Sequence, residues 1–470
     1  MAIASALAPV PPRTIVVSHV IKGDVVRGAG TLLPGPGNSA FAIPPLELDS
    51  VVWQRTRPGP AFDLQTREIV DVLVEVGARL KADPDGILAE TLEMQKGVSE
   101  LEGSLLEREY TKHLPEMFAR PRIELMIDGE IGGPKVLDEW CERADGRGKT
   151  ARVRAFPPRL VHVLAGNAPG VSALSVIRGA LSKGVNLLKL PSNDLFTAPA
   201  ILRTLASVAP GHPLTRSFCA VYWRGGDASV EGTLFRPQFF DKLVAWGGEA
   251  AIRSAKNYIG PGFELVAFDP KTSISLVGRE AFASAEALRR AAELGATDAT
   301  IYNQSACTAS RFHFVEADVD SADRYCEALQ RELGVERRLA SAGGARVPAE
   351  LREQVEVLRT MAPLYRVWGG YDGRGLVIRS SDPVDFYPDF RIVNVVPVDS
   401  LDDAIAQASV ATQTVGVYPA SRKKSIRDRL ASAGVQRIVT LGGASGGMAG
   451  LSHDGFFPLH RFMRWVNDED

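Results

Sequence analysis

This chain is predicted to be an α/β protein with two Rossmann-like units in tandem and parallel-rich sheets, on three observations. Its 470 residues exceed what one hydrophobic core usually organises. From about residue 158 on, apolar runs of strand length alternate with segments of helical spacing, the pattern of parallel βαβ units. The alternation then repeats in a second stretch after residue 270.

The elements follow in order. Met1–Pro9 is apolar but lacks a basic n-region, and reads as a frayed tail. Residues 14–55 are rich in Val and Ile broken by Gly and Pro, as in Thr14-Ile-Val-Val-Ser-His-Val-Ile21 and Gly28-Ala-Gly-Thr-Leu-Leu-Pro-Gly-Pro-Gly37. They predict short strands and turns. Over 66–118, Ile69, Val72, Val74, Val76, Leu80, Leu88, Leu92 and Met94 recur at helical spacing. A small N-terminal α+β layer is therefore expected over 1–150. It closes on the polar, glycine-bearing Arg143–Thr150, read as a hinge or linker. Residues 151–270 form the first α/β unit, expected to bind the cofactor, with strands at Leu160–Leu164, Val185–Leu190, Phe218–Trp223, Lys242–Trp246 and Leu265–Phe268. Residues 271–435 form the second, with strands at Ser273–Val277, Arg311–Val315, Ile392–Val396 and Thr412–Val417 and helices at 281–295, 320–334, 401–409 and 420–433. Residues 436–470 are a C-terminal segment.

Composition narrows the function classes. With 54 Lys+Arg against 56 Asp+Glu, the formal charge is -2 and no basic cluster follows a phosphate backbone, so no nucleic-acid partner is expected. Cysteines stand at 141, 219, 307 and 326 without a C-x-x-C pair, so neither a zinc site nor a disulfide framework is indicated. A reduced, cytoplasmic chain is expected, without a membrane span, since no stretch reaches the roughly 18 apolar residues a spanning helix needs.

The glycine motifs divide. No G-x-G-x-x-G follows the first strand of the α/β region; the turn reads Leu164-Ala-Gly-Asn167-Ala-Pro-Gly170, which disfavours a plain Rossmann dehydrogenase. That turn still leads from a strand into a helix over 171–183, so its N–H groups can face an anion or an oxyanion. Gly166 and Gly170 equally suit a tight turn with no ligand. Gly179-Ala-Leu-Ser-Lys-Gly184 fails as a P-loop because Val185 stands where Lys is required. Gly443-Ala-Ser445-Gly-Gly447 matches G-x-S-x-G, yet a glycine-rich loop follows where a nucleophile elbow needs a helix.

Among the cysteines, Cys219 falls in an apolar strand and Cys326 in a helix, the usual setting of a small buried hydrophobe. Cys141 is read on a charged helical segment. Cys307 is different: Asn303, Gln304, Ser305 and Thr308 surround it in a loop leading into a strand, where a reactive thiol is placed.

Taken together, the Asn167 turn, Leu187-Leu-Lys189-Leu-Pro-Ser192, Ala245-Trp-Gly247-Gly248-Glu249, Asn303-Gln-Ser-Ala-Cys307-Thr-Ala and Ser452-His-Asp-Gly-Phe-Phe-Pro-Leu-His-Arg-Phe-Met-Arg-Trp465 resemble the aldehyde-dehydrogenase superfamily, and within it the LuxC-type fatty-acyl-CoA reductases. The resemblance is strongest over about 155–310. It implies Cys307 as nucleophile, with the Asn167 side chain and the Cys307 N–H as oxyanion donors. It also implies Lys189, Ser192, Gly247, Gly248 and Glu249 at the cofactor. Ser192 stands where NAD-selective sites often carry Glu, which favours NADPH over NADH, because a hydroxyl can hydrogen-bond a 2′-phosphate that a carboxylate would repel.

Departures from the superfamily pattern set the expected chemistry. Aldehyde-oxidising members use a Glu in an E-L-G-G-K segment to activate water; here the segment reads Ala267-Phe-Asp-Pro-Lys271, with Asp269 displaced by two residues as a possible substitute. The acyl-enzyme should then persist until a thiol or a hydride takes it. The Glu that usually holds the nicotinamide ribose has no counterpart in Tyr387-Pro-Asp389-Phe390-Arg391, where Asp389 or Arg391 can take over. His453 and Asp454 are either a functional pair or a structural contact.

The expected activity is NADPH-dependent reduction of a fatty-acyl-CoA to the aldehyde through S-acyl Cys307, with CoA leaving. The alternatives are an NAD(P)-dependent aldehyde dehydrogenase releasing free acid, or an acyl-accepting subunit of a fatty-acid reductase complex. The resemblance implies an acyl-protein synthetase as partner, and a homo-oligomer is expected.

Overall fold

The computed structural model describes residues 13–28, 30–35 and 39–469; the Met1–Pro9 tail and part of Gly28–Gly37 lie outside them. Residues up to Val98, Lys112–Ala267 and the chain from Leu459 form one unit, and Ser99–Thr111 with Phe268–Pro458 form the other. The fold is the expected α/β arrangement with parallel-rich sheets.

In the first unit a seven-stranded sheet runs in the order Glu264–Phe268, Lys242–Trp246, Arg159–Val163, Val185–Lys189, Phe218–Val221, His19–Ile21, Asp24–Val26. Lys242–Trp246 through Phe218–Val221 pair in parallel, and the last two strands add antiparallel. Val161, Leu187, Cys219, Val221, Leu243 and Ala245 are all buried, which is why these strands read as continuous apolar runs rather than alternating ones. Strand order reverses at Arg159–Val163, flanked by Val185–Lys189 on one side and Lys242–Trp246 on the other. Loops leaving such a switch point diverge and open a crevice at the carboxyl ends of the strands.

Two local readings change. Arg143–Thr150 is not a linker: Cys141–Ala144 and Thr150–Phe156 pair antiparallel, and Arg464–Glu469 completes a three-stranded sheet. Gly146 (φ 74°) and Gly148 (φ 93°) make the hairpin tip, tied by the Asp145 carboxylate to the N–H groups of Arg147 and Lys149. Cys141 accordingly opens a strand instead of lying on a helix, and is buried.

The second unit has a seven-stranded sheet ordered Arg366–Gly369, Leu376–Arg379, Ile392–Val398, Ser310–Glu316, Thr272–Val277, Thr412–Tyr418, Arg437–Thr440. Only the Arg366–Gly369 edge strand is antiparallel. One face packs Val277, Val315, Val377 and Val393 against Ala291, Ala292 and Ala296 of helix Ala285–Ala299 and Tyr325, Leu329 and Leu333 of helix Val319–Leu333. The other packs Leu276, Phe314, Val396 and Val417 against Ile426 and Leu430 of helix Lys423–Ser432. Order reverses at Thr272–Val277, between Ser310–Glu316 and Thr412–Tyr418, and the register sets Ser273 opposite Ser310 and Thr272 opposite Thr412. The amino ends of these three strands are therefore neighbours. Helix Ala349–Arg359 and the Arg366–Arg379 hairpin fill a stretch to which no element was assigned from sequence. Among the described residues no helix is long and apolar enough to cross a membrane.

Candidate active site

In the first unit, the residues expected at the cofactor gather at the carboxyl edge of the sheet. Asn167 lies in the turn between strand Arg159–Val163 and helix Pro169–Leu181, whose first turn has no side-chain cap. The glycine two residues after Leu164 is required by space: a Cβ on Gly166 would stand 1.9 Å from Asn193 Oδ1. Gly166 thus lets the 191–194 loop close against the Asn167 turn. Lys189 ends strand Val185–Lys189 with its Nζ 5.8 Å from the centre of the Tyr222 ring. Burial pulls its pKa down to about 8, against the opposing charge of Glu231.

Ser192 is exposed in the turn after Lys189. The nearest carboxylate along the chain, Asp194, points inward: it is buried and accepts from the N–H and hydroxyl of Thr197 and from Ser172. Burial raises its pKa to about 6. Gly247 and Gly248 leave strand Lys242–Trp246, and Glu249 opens helix Glu249–Lys256 exposed to solvent and paired with Arg253.

Cys307 is placed in the second unit, at the amino edge of its sheet, in the turn before Ser310–Glu316. It is half-buried, while the other three cysteines are buried. Burial pushes its thiol up, and the Asp454 charge adds to this; the Gln413 amide and the N–H groups of Cys307 and Thr308 oppose it. Gln413 Nε2 lies 3.2 Å from Sγ and 3.0 Å from Asp454 Oδ1. The Cys307 carbonyl is anchored by Ser273 Oγ at 2.7 Å.

The turn leading to Cys307 is strained. Tyr302, Asn303 and Gln304 hold φ of 49°, 54° and 78°, a left-handed region that side chains with a Cβ rarely occupy. Each is clamped. The Tyr302 hydroxyl donates to the buried Glu109 carboxylate at 2.6 Å. Asn303 Oδ1 accepts from Arg391 at 2.5 Å and from the Ser341 N–H at 3.1 Å. The Gln304 carbonyl accepts from Arg311 at 2.6 Å, and its side chain donates to the Ile392 carbonyl at 2.9 Å.

One sequence reading, the ribose contact of Arg391, is revised by this geometry. Arg391 is fully buried at 0 % exposure and donates to Asn303, the Ser341 carbonyl and further carbonyls, so it supports the Cys307 turn and cannot serve a ribose. Asp389 pairs with Arg311 at 3.1 Å. Asp269 lies exposed just beyond the end of strand Glu264–Phe268. Ser445 is followed by turns, so no nucleophile elbow forms, and His313 is buried against Tyr325 at 3.0 Å with its pKa pulled down to about 3 by burial. Gln413 was missed altogether.

The two α/β units, one presenting a half-buried thiol on a clamped turn, have the fold of the aldehyde dehydrogenases. Solved structures agree in fold: lactaldehyde dehydrogenase from Escherichia coli superposes with a TM-score of 0.71 at 15% identity, covering 97% of this chain and 99% of that one. A NAD-dependent benzaldehyde dehydrogenase from Corynebacterium glutamicum gives 0.70 at 14% identity, covering 97% and 98%.

Within that class, the model of the acyl-CoA reductase (LuxC) family matches residues 61–465, so the chain belongs to this family and is an oxidoreductase. It is similar to the long-chain acyl-protein thioester reductase of Vibrio harveyi, 30% identical over 351 residues that cover 73% of this chain and 70% of the relative. It is also similar to that of Photorhabdus luminescens, 28% identical over 452 residues covering 92% and 88%.

Proposed function

We propose that this chain reduces a fatty-acyl thioester to the aldehyde, with CoA as leaving thiol and NADPH as reductant, through an S-acyl intermediate on Cys307. The observation that carries the direction is the apolar Ala267–Phe268 strand end. Where aldehyde-oxidising relatives hold a water-activating Glu, this chain has Ala267, and the Phe268 ring packs at 5.1 Å and 5.3 Å from His453 and Phe456. Without a base to activate water, an acyl-enzyme is protected from hydrolysis.

Cys307 attacks the thioester carbonyl as thiolate, while the Asn167 amide and the Cys307 N–H donate to the oxyanion. The carbon–sulfur bond to CoA then breaks and CoA departs as thiolate. A bound nicotinamide cofactor would supply the hydride that reduces the acyl carbonyl. The resulting hemithioacetal alkoxide collapses, breaking the bond to Cys307 Sγ, freeing the aldehyde and restoring the thiolate.

The carboxyl edge of the first unit fits such a cofactor. It combines the Lys189 cation, the exposed Ser192 hydroxyl with the Asp194 carboxylate turned away, and the Gly247-Gly248 turn, open at Gly248, where a Cβ would meet nothing within 4 Å. Ser192 would donate to a 2′-phosphate, which favours NADPH over NADH. The relatives are named for acyl groups on protein thiols, and the same attack serves that leaving group, with an acyl-protein synthetase as the partner.

Intact mass spectrometry after incubation with acyl-CoAs and acyl-protein thioesters of several lengths, with and without NADPH or NADH, tests the reading. An acyl adduct on Cys307 that disappears with NADPH as aldehyde forms is expected. Aldehyde formation at the wild-type rate by Cys307→Ala overturns it.

A further inference from the structure

We infer that Gln413 is a positioning residue for the nucleophile: its amide N–H, aimed by Asp454, donates to Cys307 Sγ and holds the sulfur as thiolate. The inference rests on the reading of Cys307 as nucleophile and adds what tunes it.

Gln413 is the second residue of strand Thr412–Tyr418 and is only 4 % exposed. A buried glutamine needs partners for both ends of its amide. Its nitrogen finds two, Cys307 Sγ at 3.2 Å and Asp454 Oδ1 at 3.0 Å, and its oxygen faces the Thr414 hydroxyl at 3.4 Å. The NH2 group carries two hydrogens, one for each acceptor.

The Asp454 carboxylate decides which end meets the sulfur. An ionised carboxylate only accepts, so the amide must turn its nitrogen toward Asp454, and the second hydrogen then points at Sγ. With the amide reversed, its oxygen would meet the oxygen of the Asp454 carboxylate and offer Sγ no donor. A neutral side chain thereby delivers the effect of a directed donor without adding a cation to the site.

The charges around the pair are consistent with that task. Asp454 is faced by Lys271, Asp269, the thiol itself and His453, whose Nε2 is 3.9 Å from Oδ1. Arg437 lies near enough to Cys307 to interact by charge, while its own hydrogen bonds go to the carbonyls of Ala444, Gly443 and Gly446 and, at 3.5 Å, to the Thr414 hydroxyl. No cation is hydrogen-bonded to Sγ among the described residues; the side-chain donor there is Gln413.

The test is the pH dependence of Cys307 alkylation by iodoacetamide in the full-length protein, located by peptide mass spectrometry. Cys141, Cys219 and Cys326 are buried and serve as an internal check of folding, since they label only if the chain opens. Losing a hydrogen bond to a charged group moves a pKa by about 1–2 units, roughly a 10- to 100-fold fall in thiolate at neutral pH. Gln413→Leu should therefore shift the alkylation profile upward by about that amount. Gln413→Glu, which keeps the shape but places a second carboxylate beside the sulfur, should shift it further. Profiles superimposable on wild type, with the three buried cysteines still protected, would overturn the inference.

The outcomes separate it from the functional reading. Cys307→Ala with intact thioester reduction defeats the nucleophile assignment, whatever the alkylation profiles show. An unmoved profile beside an inactive Cys307→Ala defeats the Gln413 role alone.

Discussion

Replacing Arg391 with lysine probes the strain held in the turn before Cys307. Three consecutive residues, Tyr302, Asn303 and Gln304, sit in the left-handed region, and at about 1 kcal/mol or more each the turn stores ~3 kcal/mol relative to relaxed backbone. Arg391 is the clamp on its middle residue: one nitrogen donates to Asn303 Oδ1 and to the Ser341 carbonyl at 2.6 Å, and the other reaches the Leu333 and Ala342 carbonyls at 3.4 Å. Burial pulls the guanidinium pKa down to about 10, so it remains a cation at neutral pH. Lysine keeps the charge but offers one ammonium in place of a planar fork, leaving buried carbonyls unpaired. At roughly 1.5–3 kcal/mol for each charge-assisted bond lost, two lost bonds should destabilise the variant by about 3–6 kcal/mol. For a unit of this size that lowers the thermal midpoint by roughly 6–24 °C. Because a chain of two units need not unfold in one step, the local readout is the rate of Cys307 alkylation at fixed pH. It should change as the turn relaxes, together with kcat for aldehyde formation. A midpoint and an alkylation rate both equal to wild type would refute the clamp.

Further outcomes follow from the first unit and from the rejected serine. Ser192→Glu places a carboxylate where a 2′-phosphate is expected, so the ratio of kcat/KM for NADPH over NADH should fall at least about tenfold; an unchanged ratio would remove Ser192 from the cofactor. Lys189, with its pKa near 8, is cationic below that pH and neutral above it. Nucleotide affinity should therefore weaken as pH rises through about 8, and Lys189→Arg, charged throughout, should flatten that step in a titration of Kd against pH. Ser445→Ala should leave aldehyde formation unchanged, and a large loss would revive Ser445 as a nucleophile.

Strands such as Val185–Lys189 and Lys242–Trp246 were legible because a parallel sheet buried on both faces writes itself as an unbroken apolar run. The same logic failed where burial is partial. Arg366–Gly369 is an edge strand with exposed ends and carries no apolar run, whereas Ala349–Arg359 does carry a helical stripe, Leu351, Val355 and Leu358, that the reading from sequence passed over. Arg143–Thr150 was misread because a glycine-bearing polar hairpin tip and a flexible linker share one composition. What distinguishes them is pairing of the flanking residues with Arg464–Glu469, more than 300 residues away in sequence.

The site shows the same division more sharply. Cys307 was visible from its immediate neighbours, since small polar residues before a strand mark a loop that can present a thiol. Gln413 was not, because its role comes from the register that brings the starts of Thr272–Val277, Ser310–Glu316 and Thr412–Tyr418 together, and from the return of Asp454 to the same edge. The one local signal was a polar side chain at a buried strand position, which demands a partner without naming it. Arg391 shows the converse error. An arginine beside Asp389 at the start of a strand suits a ribose contact as well as a buried clamp, and its neighbours cannot decide between them. Its full burial does, and so does the left-handed Asn303 it holds: a ligand contact must reach solvent, whereas a strained turn needs a support that never does. The residues that shape the reactivity of Cys307 are thus those with the weakest signature in the sequence, because their chemistry is directed at the backbone and at one another.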